Sequence, residues 1–87
     1  MRSNLPIFRL FALNMNAFAM MIKEARKAQQ LSQMDLQDLS GVSASVIYKL
    51  ESGRSDVALG SLLAVCEALG IEIAGKSPRG TEVKLTG

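Results

Sequence analysis

The sequence predicts a mainly α domain: a bundle of four helices with a C-terminal strand or small hairpin. Three observations carry this. Apolar residues recur at helical spacing in four separate stretches. Only Gly41-Val42-Ser43 separates the second stretch from the third, so the chain must turn tightly there. After Gly70 the period changes from helical to alternating.

Residues 1–15 are read as an N-terminal arm or short strand, with Ile7 to Ala12 the extended part. Leu5 to Leu13 is apolar and follows Arg2, but Pro6 and Arg9 interrupt it and it is too short to span a bilayer, so neither secretion nor a membrane is expected. Asn14 or Asn16 can cap the next element. Phe18, Met21, Ile22 and Ala25 then form the stripe of a first helix from Ala17 to Gln29, with Lys23, Glu24 and Lys27 outside it. Met20 and Met21 are read as core filler.

The second helix runs from Gln33 to about Ser40. The Ser32 hydroxyl can accept a free N–H of its first turn, and Leu36 and Leu39 supply its apolar stripe. Gly41 offers the left-handed conformation that ends a helix without a Cβ penalty, while Val42 dips into the core. Ser43 caps the third helix, in which Val46, Ile47 and Leu50 share one face and Ala44, Ser45, Tyr48, Lys49 and Ser52 the other; Gly53 stops it. Two short helices around such a turn spell a helix-turn-helix. An outward face with small residues at its start and a cation one turn later can approach a groove floor closely.

Arg54 to Val57 makes a loop, and Leu59, Leu62, Leu63, Cys66 and Leu69 define a fourth helix ended by Gly70. Ala58 and Gly60 are weak helix-starting residues, so that end should fray. Ile71 to Ala74 alternates as a strand, Ser77-Pro78-Arg79-Gly80 is turn chemistry, and Glu82 to Leu85 alternates again. The organisation is therefore an arm over residues 1–15, a helical domain over 16–70 and a strand or hairpin tail over 71–87.

Eighty-seven residues allow one domain. A chain this short buries only about 60% of the surface its unfolded form exposes, and a homodimer is the natural source of further burial. The net charge of +2 is mild support for a polyanionic partner. Between Asn16 and Val57, Lys23, Arg26, Lys27, Lys49 and Arg54 are matched by Glu24, Asp35, Asp38, Glu51 and Asp56, so any field that attracts DNA must come from placement. The single cysteine, Cys66, excludes an internal disulfide, fits a reducing cytoplasm and falls on the fourth helix's apolar stripe. With no histidine, no second cysteine and no phosphate-binding glycine loop, neither metal ligation nor a catalytic triad is available. An enzyme is not expected, and no cofactor is called for.

Gln33-x-x-Leu36, Gly41-Val42-Ser43, Ile47, Leu50-Glu51-x-Gly53 and Leu62-Leu63 followed by Ala68-Leu69-Gly70-Ile71 together resemble the Cro/CI (XRE) helix-turn-helix family over roughly Ile22 to Ile73. That resemblance implies a lambda-repressor-like bundle acting as a transcriptional repressor on a double-stranded, palindromic DNA operator. The strand pattern after Gly70 is similar to the HipB-type antitoxins of toxin–antitoxin operons, in which such a strand pairs across a homodimer and the body can hold a HipA-like kinase toxin. A stand-alone phage-type regulator, or a module that mainly binds a partner protein, are the alternatives.

Mapped onto the family motif, Ala44, Ser45 and Lys49 take the base-facing positions of the recognition helix 44–52. Lys49 can donate to guanine O6 and N7, Ser45 can donate or accept, and Ala44 can touch a thymine methyl. Gln33, Ser43, Ser52 and Arg54 take phosphate-gripping positions. Tyr48 either contacts the DNA backbone or is half-buried against a neighbouring element. Arg26 and Glu51 occupy positions that form an ion pair in the resembling family. Gln37 departs from the usual alanine where the second and third helices approach most closely.

Overall fold

The computed structural model describes residues 15–86; the expected arm falls on residues outside these, except for Met15. Among the described residues the chain forms α1 (Met15–Ala28), α2 (Gln33–Ser40), α3 (Ala44–Glu51), α4 (Leu59–Leu69), β1 (Ala74–Lys76) and β2 (Glu82–Lys84). The four-helix bundle with a small C-terminal hairpin is thus the fold expected. None of these helices is long and apolar enough to cross a membrane.

Helix α1 begins at Met15, two residues before the expected start. Its buried line is Met15, Ala19, Ile22 and Arg26, with Phe18 and Ala25 half-buried beside it. Met20 and Met21, both expected inside, are exposed, because neither lies on the buried line through Ala19, Ile22 and Arg26. The helix ends without glycine. Gln30 adopts φ 59°, the Leu31 N–H reaches back to the Arg26 carbonyl at 3.0 Å, and the Arg26 guanidinium donates to the Leu31 carbonyl at 2.8 Å. These bonds hold a left-handed residue that costs an ordinary side chain about 1–2 kcal/mol.

In α2 Ser32 accepts from the Asp35 N–H at 3.0 Å while Asp35 accepts from the Ser32 N–H at 2.8 Å, a reciprocal cap that goes beyond the expected serine. Those bonds hold the Asp35 carboxyl below its ordinary range. Only Leu36 of this helix is fully buried; Leu39 is 60% exposed. In a two-turn helix the residue one full turn on from Leu36 is Ser40, and it is Ser40 that turns inward, donating to the Leu36 carbonyl at 2.7 Å and accepting from the Val42 N–H at 3.1 Å. That relay and the left-handed Gly41, φ 74°, shape the turn and carry Val42 into the core.

Ile22, Leu36, Ile47, Leu50, Val65 and Cys66 are the fully buried side chains, so every helix contributes to one core. Burial pushes the Cys66 thiol up to about 11, leaving it neutral and unreactive at neutral pH. Leu59 is exposed instead of joining the α4 stripe. It sits in the first turn of a helix whose preceding residue, Ala58, offers no side-chain cap.

The strand begins three residues later than the alternation suggests. Ile71 and Ile73 pack half-buried against the core, and pairing starts at Ala74, with Ala74 opposite Lys84, Gly75 opposite Val83 and Lys76 opposite Glu82. Gly80, φ 91°, closes a three-residue loop in which Gly80 N–H bonds Ser77 O at 2.9 Å and Ser77 N–H bonds Thr81 O at 2.8 Å. Thr86 turns back to accept from the Ile73 N–H at 2.9 Å. Within the chain, β1 pairs with β2 through one of its two edges.

Gly53 makes the tightest demand on the backbone. It ends α3 at φ 79°, and a Cβ built there would overlap the Asn16 side-chain oxygen. Gly41 has the same left-handed backbone but open space around it. Gly41→Ala should cost about 1–2 kcal/mol from backbone strain alone, and Gly53→Ala the same strain plus the smaller cost of turning the exposed Asn16 side chain aside. Urea titrations of both variants test this; equal losses would show that Asn16 simply yields.

Candidate nucleic-acid interface

The site is built around α3. Ser43 starts it, its hydroxyl accepting from the Val46 N–H at 3.4 Å and lying 3.3 Å from the Ser45 hydroxyl. Ile47 and Leu50 bury one face in the core, with Val46 half-buried. Alternation at helical spacing then forces Ala44, Ser45, Tyr48 and Ser52 into solvent, with Lys49 part-exposed at 37% of its side chain. No carboxylate of α3 itself shares that outward face, since Glu51 is buried.

Tyr48 is 63% exposed, which decides between its two readings against the half-buried one. The Ser52 hydroxyl donates to the Tyr48 carbonyl at 2.7 Å, a second bond to an oxygen that also accepts the Ser52 N–H at 3.0 Å, and the residue stays exposed.

Glu51 ends the same helix on its buried side. A carboxylate in a last turn opposes the helix dipole and burial opposes its charge, so it needs strong partners. Arg26 supplies them: Nε donates to Oε2 at 2.7 Å and Nη2 to Oε1 at 3.0 Å. The expected ion pair is formed. Gln33 adds a third bond, Nε2 to Oε1, at 3.1 Å. Burial raises the Glu51 pKa, but the bonds from Arg26 and Gln33 and the charges of Arg26 and Lys23 outweigh it and hold the carboxyl below its ordinary range. One network thus ties α1, the loop at Leu31, the start of α2 and the end of α3, and so fixes the angle at which α3 is presented.

The sequence reading placed Gln33 at a phosphate; in the structure its amide nitrogen is engaged with Glu51, with the residue exposed at the α2 N-terminus. Lys49 and Arg54, the two cations expected to face DNA, both approach Asp56. Arg54 forks onto Asp56, Nε to Oδ1 at 3.0 Å and Nη2 to Oδ2 at 2.9 Å, and Lys49 Nζ lies 3.6 Å from the same Oδ2. These partners hold the Asp56 carboxyl below its ordinary range, the Arg54 hydrogen bonds contributing most. The sequence reading treated Asp56 as one more balancing charge. The Arg54-x-Asp56 spacing was visible, but only the loop's path brings Lys49 to it. Among the described residues no cluster of acidic or cysteine side chains is arranged to hold a metal ion.

Comparison with known proteins points the same way. A helix-turn-helix family model matches residues 22–76, from within α1 to the end of β1, a span that holds Arg26, Gln33, Glu51 and the whole of α3. An uncharacterized HTH-type transcriptional regulator, y4dL of Sinorhizobium fredii (strain NBRC 101917 / NGR234), is 42% identical over 52 residues. The match takes in 60% of this chain but only 26% of that protein, so the chain spans about a quarter of its relative's length. The restriction-modification controller protein C.AhdI from Aeromonas hydrophila superposes with a TM-score of 0.60 at 33% identity, covering 77% of this chain and 94% of that one. With the turn, the buried arginine–glutamate brace and the outward face of α3 in place, the chain belongs to the Cro/CI (XRE)-type helix-turn-helix family of DNA-binding domains.

Proposed function

We propose that the chain is a sequence-specific DNA-binding transcriptional repressor that binds a palindromic operator as a homodimer. The observation that carries this is the two-faced α3: Ile47 and Leu50 are locked in the core and Glu51 is braced, while Ala44, Ser45, Tyr48, Lys49 and Ser52 line the surface. In this reading Ala44, Ser45 and Lys49 meet base edges in the major groove, and Gln33, Ser43, Tyr48, Ser52 and Arg54 meet phosphates. The protein works without a cofactor or catalytic role, in a cytoplasm that keeps Cys66 reduced. Exposed Val83 and Leu85 on the hairpin offer apolar area for a twofold partner.

The likeness to a restriction-modification controller protein supports a regulatory role. The antitoxin assignment is narrower; it rests on the strand-forming tail, and it requires co-elution with a HipA-like kinase.

A gel-shift titration on DNA upstream of the chain's own gene tests the main reading. We expect salt-dependent binding of two chains to a palindrome with half-sites about one helical turn, or a multiple, apart. Binding no tighter than to a scrambled duplex would sink it.

A further inference from the structure

We propose that Asp56 is a positioning residue for DNA recognition: its carboxylate holds Lys49 and Arg54 at a fixed spacing and suppresses their attraction to non-cognate DNA. The inference rests on the DNA-binding reading of α3.

An anion beside a surface that must meet a polyanion is costly, so its presence calls for a reason. The core gives none: the Asp56 side chain is 53% exposed. What it does touch is specific. Oδ1 takes Arg54 Nε, and Oδ2 is shared between Arg54 Nη2 and Lys49 Nζ. That shared oxygen links the end of α3 to the loop behind it.

Donor arithmetic shows that the two cations remain competent. An ammonium has three protons, and at 3.6 Å from Oδ2 Lys49 pairs with Asp56 by charge without spending a hydrogen bond, so its protons remain for a guanine's O6 and N7. A guanidinium forked through Nε and Nη2 keeps its Nη1 edge for a phosphate oxygen. A cognate duplex can thus be met with Asp56 still in place, Arg54 held by its two hydrogen bonds and Lys49 drawn toward the same carboxylate. A random duplex offers Lys49 no matched pair of acceptors. There the cations would have to act as free charges, and the carboxylate opposes that by pairing them and by halving the net charge of the cluster. Asp56 therefore trades general affinity for discrimination.

The test uses the full chain and two duplexes of equal length, one selected by the wild-type protein from a randomised pool and one with that sequence scrambled. Asp56→Asn keeps the shape and removes the charge. We expect an unchanged melting temperature, tighter binding to the scrambled duplex with a salt dependence steeper by about one released ion, and a specificity ratio lowered by about fivefold or more, the smaller end of what one base contact is worth. Asp56→Glu, which keeps the charge, should return the scrambled-duplex affinity toward wild type. A loop brace without a recognition role would move the melting temperature and leave ratio and salt slope alone. If wild type discriminates and Asp56→Asn discriminates equally, the proposal is overturned while the DNA-binding reading stands; if wild type enriches no sequence, that reading fails and the proposal with it.

Discussion

Arg26→Ala should cost about 3–5 kcal/mol, because it leaves the Glu51 carboxylate buried at the end of a helix with its main partner gone. Small domains have about 5–15 kcal/mol in total, so the variant should be largely unfolded at mild urea concentrations that leave the parent intact. Glu51→Ala should cost a similar amount by orphaning the guanidinium, which would keep only its bond to the Leu31 carbonyl. The double variant Arg26→Met with Glu51→Leu buries no charge and should recover most of the loss. Circular dichroism during urea unfolding measures all three. A single-variant loss under about 1 kcal/mol would place the pair among ordinary surface pairs, against the 11% and 4% side-chain exposures observed.

The same pair predicts an acid limb. Glu51 is held below its ordinary 4.5 in the folded chain. Below that value the unfolded chain takes up a proton that the folded chain refuses, so stability falls as pH falls; above it both states are ionised and the contribution is complete. The parent should therefore lose stability on acidification below about pH 4.5, and the Met/Leu double variant should lose less over that window. Equal slopes would remove Glu51 as a source of acid sensitivity.

The parts of this fold that were legible in the sequence are those decided within a few residues. Ser32, Gly41, Ser43 and Gly70 cap or stop helices by local backbone geometry, and the structure places each where the local rule put it. Burial was less legible, because it depends on what lies opposite. Leu39, Met21 and Leu59 fit an apolar stripe by spacing but face solvent, while Arg26 and Ser40 take inward positions because a carboxylate and two backbone groups await them. The stop at Gln30 was invisible for the same reason, since a side chain from the previous turn secures it. At the DNA-facing surface the residue types and their common face could be read from helical periodicity, and the role of Glu51 from its family resemblance. The Asp56 bridge could not, because no sequence rule fixes the path of the loop between α3 and α4.

That bridge also sharpens what substitutions of the two cations should do. Lys49 lies on the outward side of α3 with Ser45 one turn before it, and Arg54 lies in the loop beyond the helix; in the proposed binding mode the first would meet base edges and the second the DNA backbone. Lys49→Ala should weaken the selected duplex by about 1–3 kcal/mol, roughly five- to 150-fold, and the scrambled duplex distinctly less, by the loss of one cluster charge alone. Arg54→Ala should weaken both duplexes alike and reduce the salt slope by about one. Because Asp56 joins the pair, each loss should also be partly coupled: removing Arg54 frees the carboxylate to hold Lys49 more strongly, which would further dampen general attraction without relaxing sequence preference. Binding isotherms for both variants on both duplexes at several salt concentrations separate these effects. If Lys49→Ala and Arg54→Ala reduce specific and scrambled binding in the same proportion, then Lys49 reads no base, and sequence preference must arise from Ser45, Ala44 or the shape of the DNA itself.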